Sequence, residues 1–501
     1  MTAVGDVHGE HRSGTPEAEA EAEVEAGAGP GARVLSRWVL PLICSAQLLL
    51  QLDFSIVNVA LPTMQAELGF TAAGLQWVVT GYALAFGSLL LLGGRIGDIV
   101  GHRRTMTIGL ALFALSSLSG GLAASPVILV ASRIVQGGSA ALVAPSALAI
   151  LVGTYLSDTS RARALGIFQA ATAGGATAGI VLGGVLVQFI GWRAVLLINP
   201  PVIVILIGLM LWRLPSGAPR AGNRQLDIGG AVLVTGSVAA LVYAMNSGQE
   251  NGFGSPITIV ALVLTVVLAV AFVFTEMRVK QPMLPLQIFQ DRARRGSLIV
   301  IGLAGMVIVS YVYFTSLYLQ SVLKLDALIT GIAMIPATAT VMTVSVLVSR
   351  RLLPRLGVRG MLALGLPLIA VGQLWLAQVT AHENYAAGVL PGLVLTAAGM
   401  GIAIPAAAFG ANSGVTPALR GVAGGLFVMA QQVGAAVGLA TLATIAAART
   451  ASSGASLLDG YRLAYLVQAG IAVIAAVLAL VIIRKRTLAS NASAAIPGAK
   501  D

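Results

Sequence analysis

Fourteen stretches of about 20 apolar residues dominate this chain, and few folds accommodate them. They fall near 38–61, 75–95, 104–124, 127–151, 163–188, 194–213, 227–246, 256–276, 296–320, 328–349, 359–379, 386–410, 421–447 and 463–483. A helix rises about 1.5 Å per residue, so each stretch matches the hydrocarbon thickness of a bilayer. Only 10% of the residues are charged, against about 25% in soluble domains. The chain cannot cover 501 residues with a polar surface in water. The expected class is an all-α membrane protein, because a helix bonds its own backbone inside lipid.

The charges are distributed by side. With the N-terminus placed in the cytoplasm, the outer loops receive only Arg193, Lys324, Arg449 and Arg462 of the thirty basic residues. Clusters such as Arg103-Arg104, Arg292 to Arg295 and Arg350 to Arg359 then fall inside. Basic residues are retained on the cytoplasmic side, so both termini are expected there. The net charge of +11 is thereby a topological signal, and nucleic acid is not an expected partner. Residues 1–34 and 487–501 read as cytoplasmic tails, the first acidic and disordered rather than a signal peptide. One cysteine, Cys44, excludes an internal disulfide framework, and four dispersed histidines make a zinc site unexpected. With four lysines among the thirty basic residues, the composition is that of a GC-rich bacterium, whose cytoplasmic membrane is the expected location.

The chain also repeats itself. Arg161, Gly166, Phe168, Gly175, Ala176 and Gly179 match Arg420, Gly425, Phe427, Gly434, Ala435 and Gly438. Gly101-His102-Arg103 matches Gly357-Val358-Arg359 at nearly the same separation. A parallel duplication of a helix bundle explains both. It divides the chain into a six-helix bundle at 35–214, two inserted spans with linkers at 215–290, and a second six-helix bundle at 291–486.

Five motifs stand out. The loop Gly94-Arg95-Ile96-Gly97-Asp98-Ile99-Val100-Gly101-His102-Arg103-Arg104 joins two spans. Its glycines permit close approach and a tight reversal, and Asp98 can meet a helix end or an arginine. Gly94, Asp98, Gly101, Arg103 and Arg104 are therefore a candidate cytoplasmic gate; a merely basic loop would need neither the acid nor the glycines. The counterpart loop has Pro354 where the acid would fall. The first span carries Leu52-Asp53-Phe54-Ser55-Ile56-Val57-Asn58, the fourth Arg133-Ile134-Val135-Gln136-Gly137, and the fifth Gly175, Gly179, Gly183 and Gly184. Trp192-Arg193 precedes Ile198-Asn199-Pro200.

Together these motifs resemble the major facilitator superfamily, and in it the fourteen-span drug:proton antiporters. The resemblance implies two six-helix bundles plus two inserted transmembrane helices, alternating access, and export of a small amphipathic drug or antibiotic. It implies no cofactor beyond the coupling proton, and a chain that works as a monomer in the bilayer. One departure is Ile180, which stands where the family has a proline linked with antiport.

Asp53 is the one acid in the predicted spans away from their ends, and such an acid is costly unless protonated, paired or wetted. It is the expected proton site; the alternative is a structural acid bonded to Gln47, Gln51 or Asn58. Arg133, with Gln136 and Gly137, either gates that site or snorkels to the headgroups. Asn58, Gln169, Tyr311, Tyr313, Phe314, Gln431 and Gln432 are candidates for a substrate cavity, although helix packing accounts for each as well. A metabolite transporter and a non-transporting membrane sensor stay open at this point. No catalytic constellation stands out, so an enzyme is not expected.

Overall fold

The computed structural model describes residues 30–483, apart from 71, 156, 215–226, 280, 281, 283, 285, 326, 382, 383, 417, 418 and 452–455. The predicted tail at 487–501 and residues 1–29 of the other lie outside the described residues; residues 30–34 are helical rather than part of a tail. Among the described residues there are fourteen α-helices and no strand. The first bundle comprises α1 (Pro30–Leu68), α2 (Ala72–Val100), α3 (His102–Gly121), α4 (Pro126–Thr154), α5 (Asp158–Phe189), α6 (Trp192–Leu197) and α7 (Asn199–Arg213). The inserted pair is α8 (Ile228–Asn251) and α9 (Pro256–Arg278). The second bundle comprises α10 (Arg292–Leu317), α11 (Ala327–Leu376), α12 (Leu390–Asn412), α13 (Arg420–Ala451) and α14 (Leu457–Ile482).

These elements give fourteen crossings by two accommodations. The helices α6 and α7 form one crossing, interrupted at Ile198 because Pro200 and Pro201 have no backbone N–H to continue the ladder. The helix α11 forms two crossings, folded back at Gly357, whose φ of 64° only glycine adopts freely. Gly101, its partner in the repeat, turns the chain with φ of 102°. Thirteen helical stretches are long and apolar enough to cross a membrane. The remaining crossing, α3, opens on His102-Arg103-Arg104 and closes on Ser and Gly, which dilutes its hydropathy. It is held by packing instead, with Met106, Leu110 and Phe113 buried against α4 and α7.

The helix ends are satisfied locally. The Ser157 Oγ accepts from the Ser160 N–H at 3.2 Å, the Asp227 carboxylate from Gly230 at 2.8 Å and the Asp291 carboxylate from Arg294 at 2.8 Å. Ser456 and Asp459 cap α14 reciprocally. At the end of α1, the Glu67 carboxylate accepts from Trp192 Nε1 at 2.9 Å and from Arg193. Those two bonds, that from Trp192 foremost, hold the Glu67 carboxyl below its ordinary range. Its folded-state value is thus below the unfolded one, so its contribution is present at neutral pH and lost as pH falls through the folded value. Glu67→Gln should lower the melting temperature slightly at pH 7, and the difference from the parent should vanish in thermal scans on the acid side of the carboxylate range.

The repeat seen in sequence is a repeat of packing. A Cβ on Gly175, Gly179 or Gly183 would strike α1, at Leu48, Leu52 and Ile56 respectively. A Cβ on Gly434 or Gly438 would strike α10, at Gly302 and Met306. The fifth crossing lies on the first in one bundle as the thirteenth lies on the ninth in the other. Gly184, expected in the same motif, faces open space and takes no part in the contact. The inserted helix α8 lies against both α2 and α13, with the Trp77 and Tyr243 rings 6.4 Å apart and Met245 close to Ala440. It therefore spans the seam between the bundles, while α9 presents Val260, Val263, Val267 and Phe274 outward as lipid-compatible surface.

Candidate functional site

The site centres on Asp53, which is 0% exposed on α1. Glycine contacts draw the neighbouring helices in: Gly137 of α4 meets the backbone of Tyr82 on α2, so α4 comes close enough to deliver a long side chain inward. Arg133 reaches Asp53 from α4, its Nη1 donating to Oδ2 at 2.7 Å. Its Nε donates to the Val78 carbonyl at 3.1 Å, and its guanidinium carbon lies 4.4 Å from the centre of the Tyr82 ring. Gln136, one turn on, accepts from Arg133 at 2.7 Å and donates through Nε2 to Asp53 Oδ1 at 3.2 Å and to Ser117 Oγ at 2.6 Å. Asn199, at the start of α7, donates to Asp53 Oδ1 at 2.6 Å.

Asp53, Arg133, Gln136, Ser117 and Asn199 are each at most 1% exposed. Arg133 does not snorkel. Of the alternative partners of Asp53, Asn58 bonds back to the Phe54 carbonyl of its own helix, and among the described residues the acid is bonded from α4 and α7 rather than by Gln47 or Gln51. A buried ion pair survives only when its remaining lone pairs and protons are satisfied. Truncating one partner leaves the other charge alone, at a cost of about 3–5 kcal/mol. Arg133→Leu should therefore lower stability by about that much in chemical or thermal unfolding, and the double variant Asp53→Asn/Arg133→Leu should recover most of the loss.

The second bundle holds buried, uncharged polar residues on the corresponding helices. Ser310, Gln373, Thr396 and Gln468 stand on α10, α11, α12 and α14, the repeat counterparts of α1, α3, α4 and α7, and each is 0% exposed. Gln373 Nε2 donates to Thr396 Oγ1 at 3.2 Å. The same framework thus holds an ionisable set on one side and a neutral set on the other.

The loop motif forms a second locus, at the end where the basic loops gather. Asp98 is buried and accepts from the Gly421 N–H at 3.0 Å and the Val422 N–H at 3.1 Å. A carboxylate from the first bundle thereby caps α13 of the second, where unpaired N–H groups carry positive potential. Gly94 and Gly421 meet backbone to backbone with no room for a Cβ on either. His102 Nε2 lies 3.2 Å from Asp98 Oδ1 without hydrogen-bonding geometry. Arg103 turns away from this contact and donates to the Leu211 carbonyl at 3.0 Å, bracing α7, while Arg104 is exposed.

The cavity candidates divide. Tyr311 and Phe314 are core residues, the first donating to the Leu393 carbonyl at 3.4 Å and the second packed among Tyr313, Tyr461 and Tyr465. Tyr313 is 42% exposed on one face with Val309 and Val312. Asn58 is exposed, Gln169 is buried, and Gln431 and Gln432 are half-buried on α13. Asn199 and Ser117 are the residues that motif reading left out of the site. Asn199 was visible within the Trp192-Arg193 to Ile198-Asn199-Pro200 stretch but without a role, and Ser117 as one serine among several in α3.

The Major Facilitator Superfamily model matches residues 43–439. The chain belongs to the major facilitator superfamily. It is 37% identical to the puromycin resistance protein of Streptomyces alboniger, over 91% of this chain and 92% of that one. It is 37% identical to the cephamycin export protein of Amycolatopsis lactamdurans, over 84% and 87%, and 32% identical to the lincomycin resistance protein of Streptomyces lincolnensis, over 89% and 92%. In fold it resembles the human organic anion transporter MFSD10, with a TM-score of 0.65 and 17% identity over 89% of this chain and 99% of that one. It is thus a multi-pass membrane transporter of the facilitator fold, similar to antibiotic resistance and export proteins.

Proposed function

We propose that this transporter exports a small amphipathic drug or antibiotic from the cytoplasm, driven by inward proton flow, with Asp53 as the proton site. The observation that carries the reading is the Asp53–Arg133 pair, sealed inside one bundle and bonded on every side. A carboxylate so placed is stable only with its arginine. Protonation removes the charge that holds Arg133, so the pair is a two-state element that a proton gradient can bias. The likeness to puromycin, cephamycin and lincomycin resistance or export proteins supports an antibiotic as cargo.

The capped contact of Asp98 with α13 is the natural partner of that element. In this reading the basic end is cytoplasmic, and the state described here is closed at that end. Opening requires the Asp98 bonds and the Gly94–Gly421 contact to part, which is alternating access in its simplest form. The single-protomer framework holds both loci, so the reading needs no second copy.

The test is accumulation of antibiotics in cells stripped of their own efflux pumps. A panel containing puromycin, a cephamycin and lincomycin should include at least one compound whose accumulation falls when the chain is expressed. An uncoupler should restore that accumulation. Unchanged accumulation across the panel would reject drug export, and a fall that survives the uncoupler would reject proton coupling.

A further inference from the structure

Every group that touches Asp53 is a donor. Arg133 Nη1 gives to Oδ2, and Gln136 Nε2 and Asn199 Nδ2 both give to Oδ1. That set suits a carboxylate and leaves nothing to receive the O–H of a carboxylic acid. Protonation on Oδ1 would point a proton at two N–H groups. Arg133 has no acceptor to offer. Gln136 Oε1 is held by Arg133 Nη1, and the Ser117 oxygen already accepts from Gln136. Asn199 differs: its Oδ1 is buried with no hydrogen-bond partner among the described residues. An unpartnered buried acceptor is uncommon enough to need a reason.

We propose that Asn199 serves both protonation states of Asp53 by turning its amide over. In the charged state Nδ2 donates to Asp53 Oδ1, as described. When a proton binds Oδ1, the amide rotates and its Oδ1 accepts the new O–H. The two ends of an amide are nearly equal in size, so the exchange needs no repacking. Asn199 Nδ2 gives up its bond to the carboxylate and its longer one to Ser117 Oγ at 3.4 Å, and Asn199 Oδ1 gains the carboxylic O–H. The Oδ2 carbonyl can still accept from Arg133, now without the charge that holds it, and the proton enters from water and leaves to water. Asn199 leaves one amide atom unpartnered in each state rather than forcing two donors together in one of them.

The second bundle supplies the contrast. Gln468, on the counterpart helix, is an amide with both polar atoms buried and unpartnered, yet Ser310 stands on the helix that corresponds to α1. With no acid on that side, its amide has no protonation change to follow. The charged and titratable groups facing Asp53 among the described residues are Arg133 of α4 and Tyr82 of α2; Arg133 has no acceptor atom, and the Tyr82 hydroxyl is not among the hydrogen-bond partners of Asp53.

This inference rests on Asp53 as the proton site, and infrared spectroscopy separates the two. Difference spectra of the full chain in lipid nanodiscs, between acid and alkaline pH, should contain one carboxylic C=O band that Asp53→Asn removes. In the parent its frequency should be that of an acid whose O–H is hydrogen-bonded. Asn199→Leu and Asn199→Val, two variants of different bulk, should raise it to the frequency of a free acid. A parent band already at the free-acid position, or one unmoved in a folded Asn199 variant, overturns the role of Asn199. Absence of any band that depends on Asp53 overturns the proton-site reading itself, and this inference with it.

Discussion

Asp53→Asn should leave the protein folded and end its ability to concentrate a drug against a gradient. Asparagine keeps the shape of the aspartate, and its carbonyl can still accept from Arg133 Nη1. Its amide nitrogen would face Gln136 and Asn199, both donors to Asp53 Oδ1. Rotation of the Asn199 amide relieves one of those conflicts, but the buried Arg133 is left without its counter-charge, so the cost approaches that of a buried pair that loses one partner, about 3–5 kcal/mol. That is a lowered melting temperature rather than an unfolded chain. The function is affected far more. A residue that cannot gain or lose a proton cannot link a proton gradient to transport. In proteoliposomes, using the compound found in the antibiotic panel, the accumulation ratio should fall to about one under an imposed pH gradient. Substrate-induced proton movement should be absent, while downhill exchange of labelled against unlabelled drug continues. Retained uphill transport would show that Asp53 is a structural acid.

Asp98→Ala should be the second severe variant, acting at the opposite locus. The Asp98 carboxylate accepts from the Gly421 and Val422 N–H groups in the first turn of α13. Removing a cap of this kind costs about 1–2 kcal/mol. Here the loss falls only on the state in which the two bundles meet at the basic end, because the bonds cross between them. A cost of 1.4 kcal/mol changes a two-state ratio by about tenfold. Spin labels at Arg104 and Leu356, both exposed on that end, should report the population with a short inter-bundle distance falling by about that factor once Cys44 is replaced. Transport should drop in parallel, because the outward half of the cycle becomes sparsely occupied. An unchanged distance distribution would reduce Asp98 to a loop residue.

The two loci stand at different levels of legibility. Asp98 could be read from the loop alone, since an acid between glycines in a short turn is suited to a helix end. Which helix it meets could not, because Gly421 lies more than three hundred residues further along the chain. The repeat likewise emerged from matched glycines, yet its meaning came from packing: Gly175 and Gly179 on α1, Gly434 and Gly438 on α10. Gly184 belongs to the same pattern and touches nothing, because a glycine shows that close approach is permitted and not that it occurs. Tyr311 and Phe314 were reasonable cavity residues by type, but an aromatic residue in a span has no sequence mark for the face it occupies.

What the sequence determined by itself is the part governed by the solvent. Length, apolar runs and the side on which the arginines gather follow from the cost of exposing backbone or charge to hydrocarbon, a cost each residue bears independently. Asp53 was conspicuous for the same reason, as a charge where none is affordable without a partner. The identity of that partner belonged to the tertiary structure. Arg133 was expected either to gate Asp53 or to reach the headgroups, and Asn199 stood in a motif to which no role was attached. Their convergence depends on the approach of α4 at Gly137 and on the break between α6 and α7. A hydrogen bond has directions and a range of about 3 Å, and no local pattern carries the distance between helices.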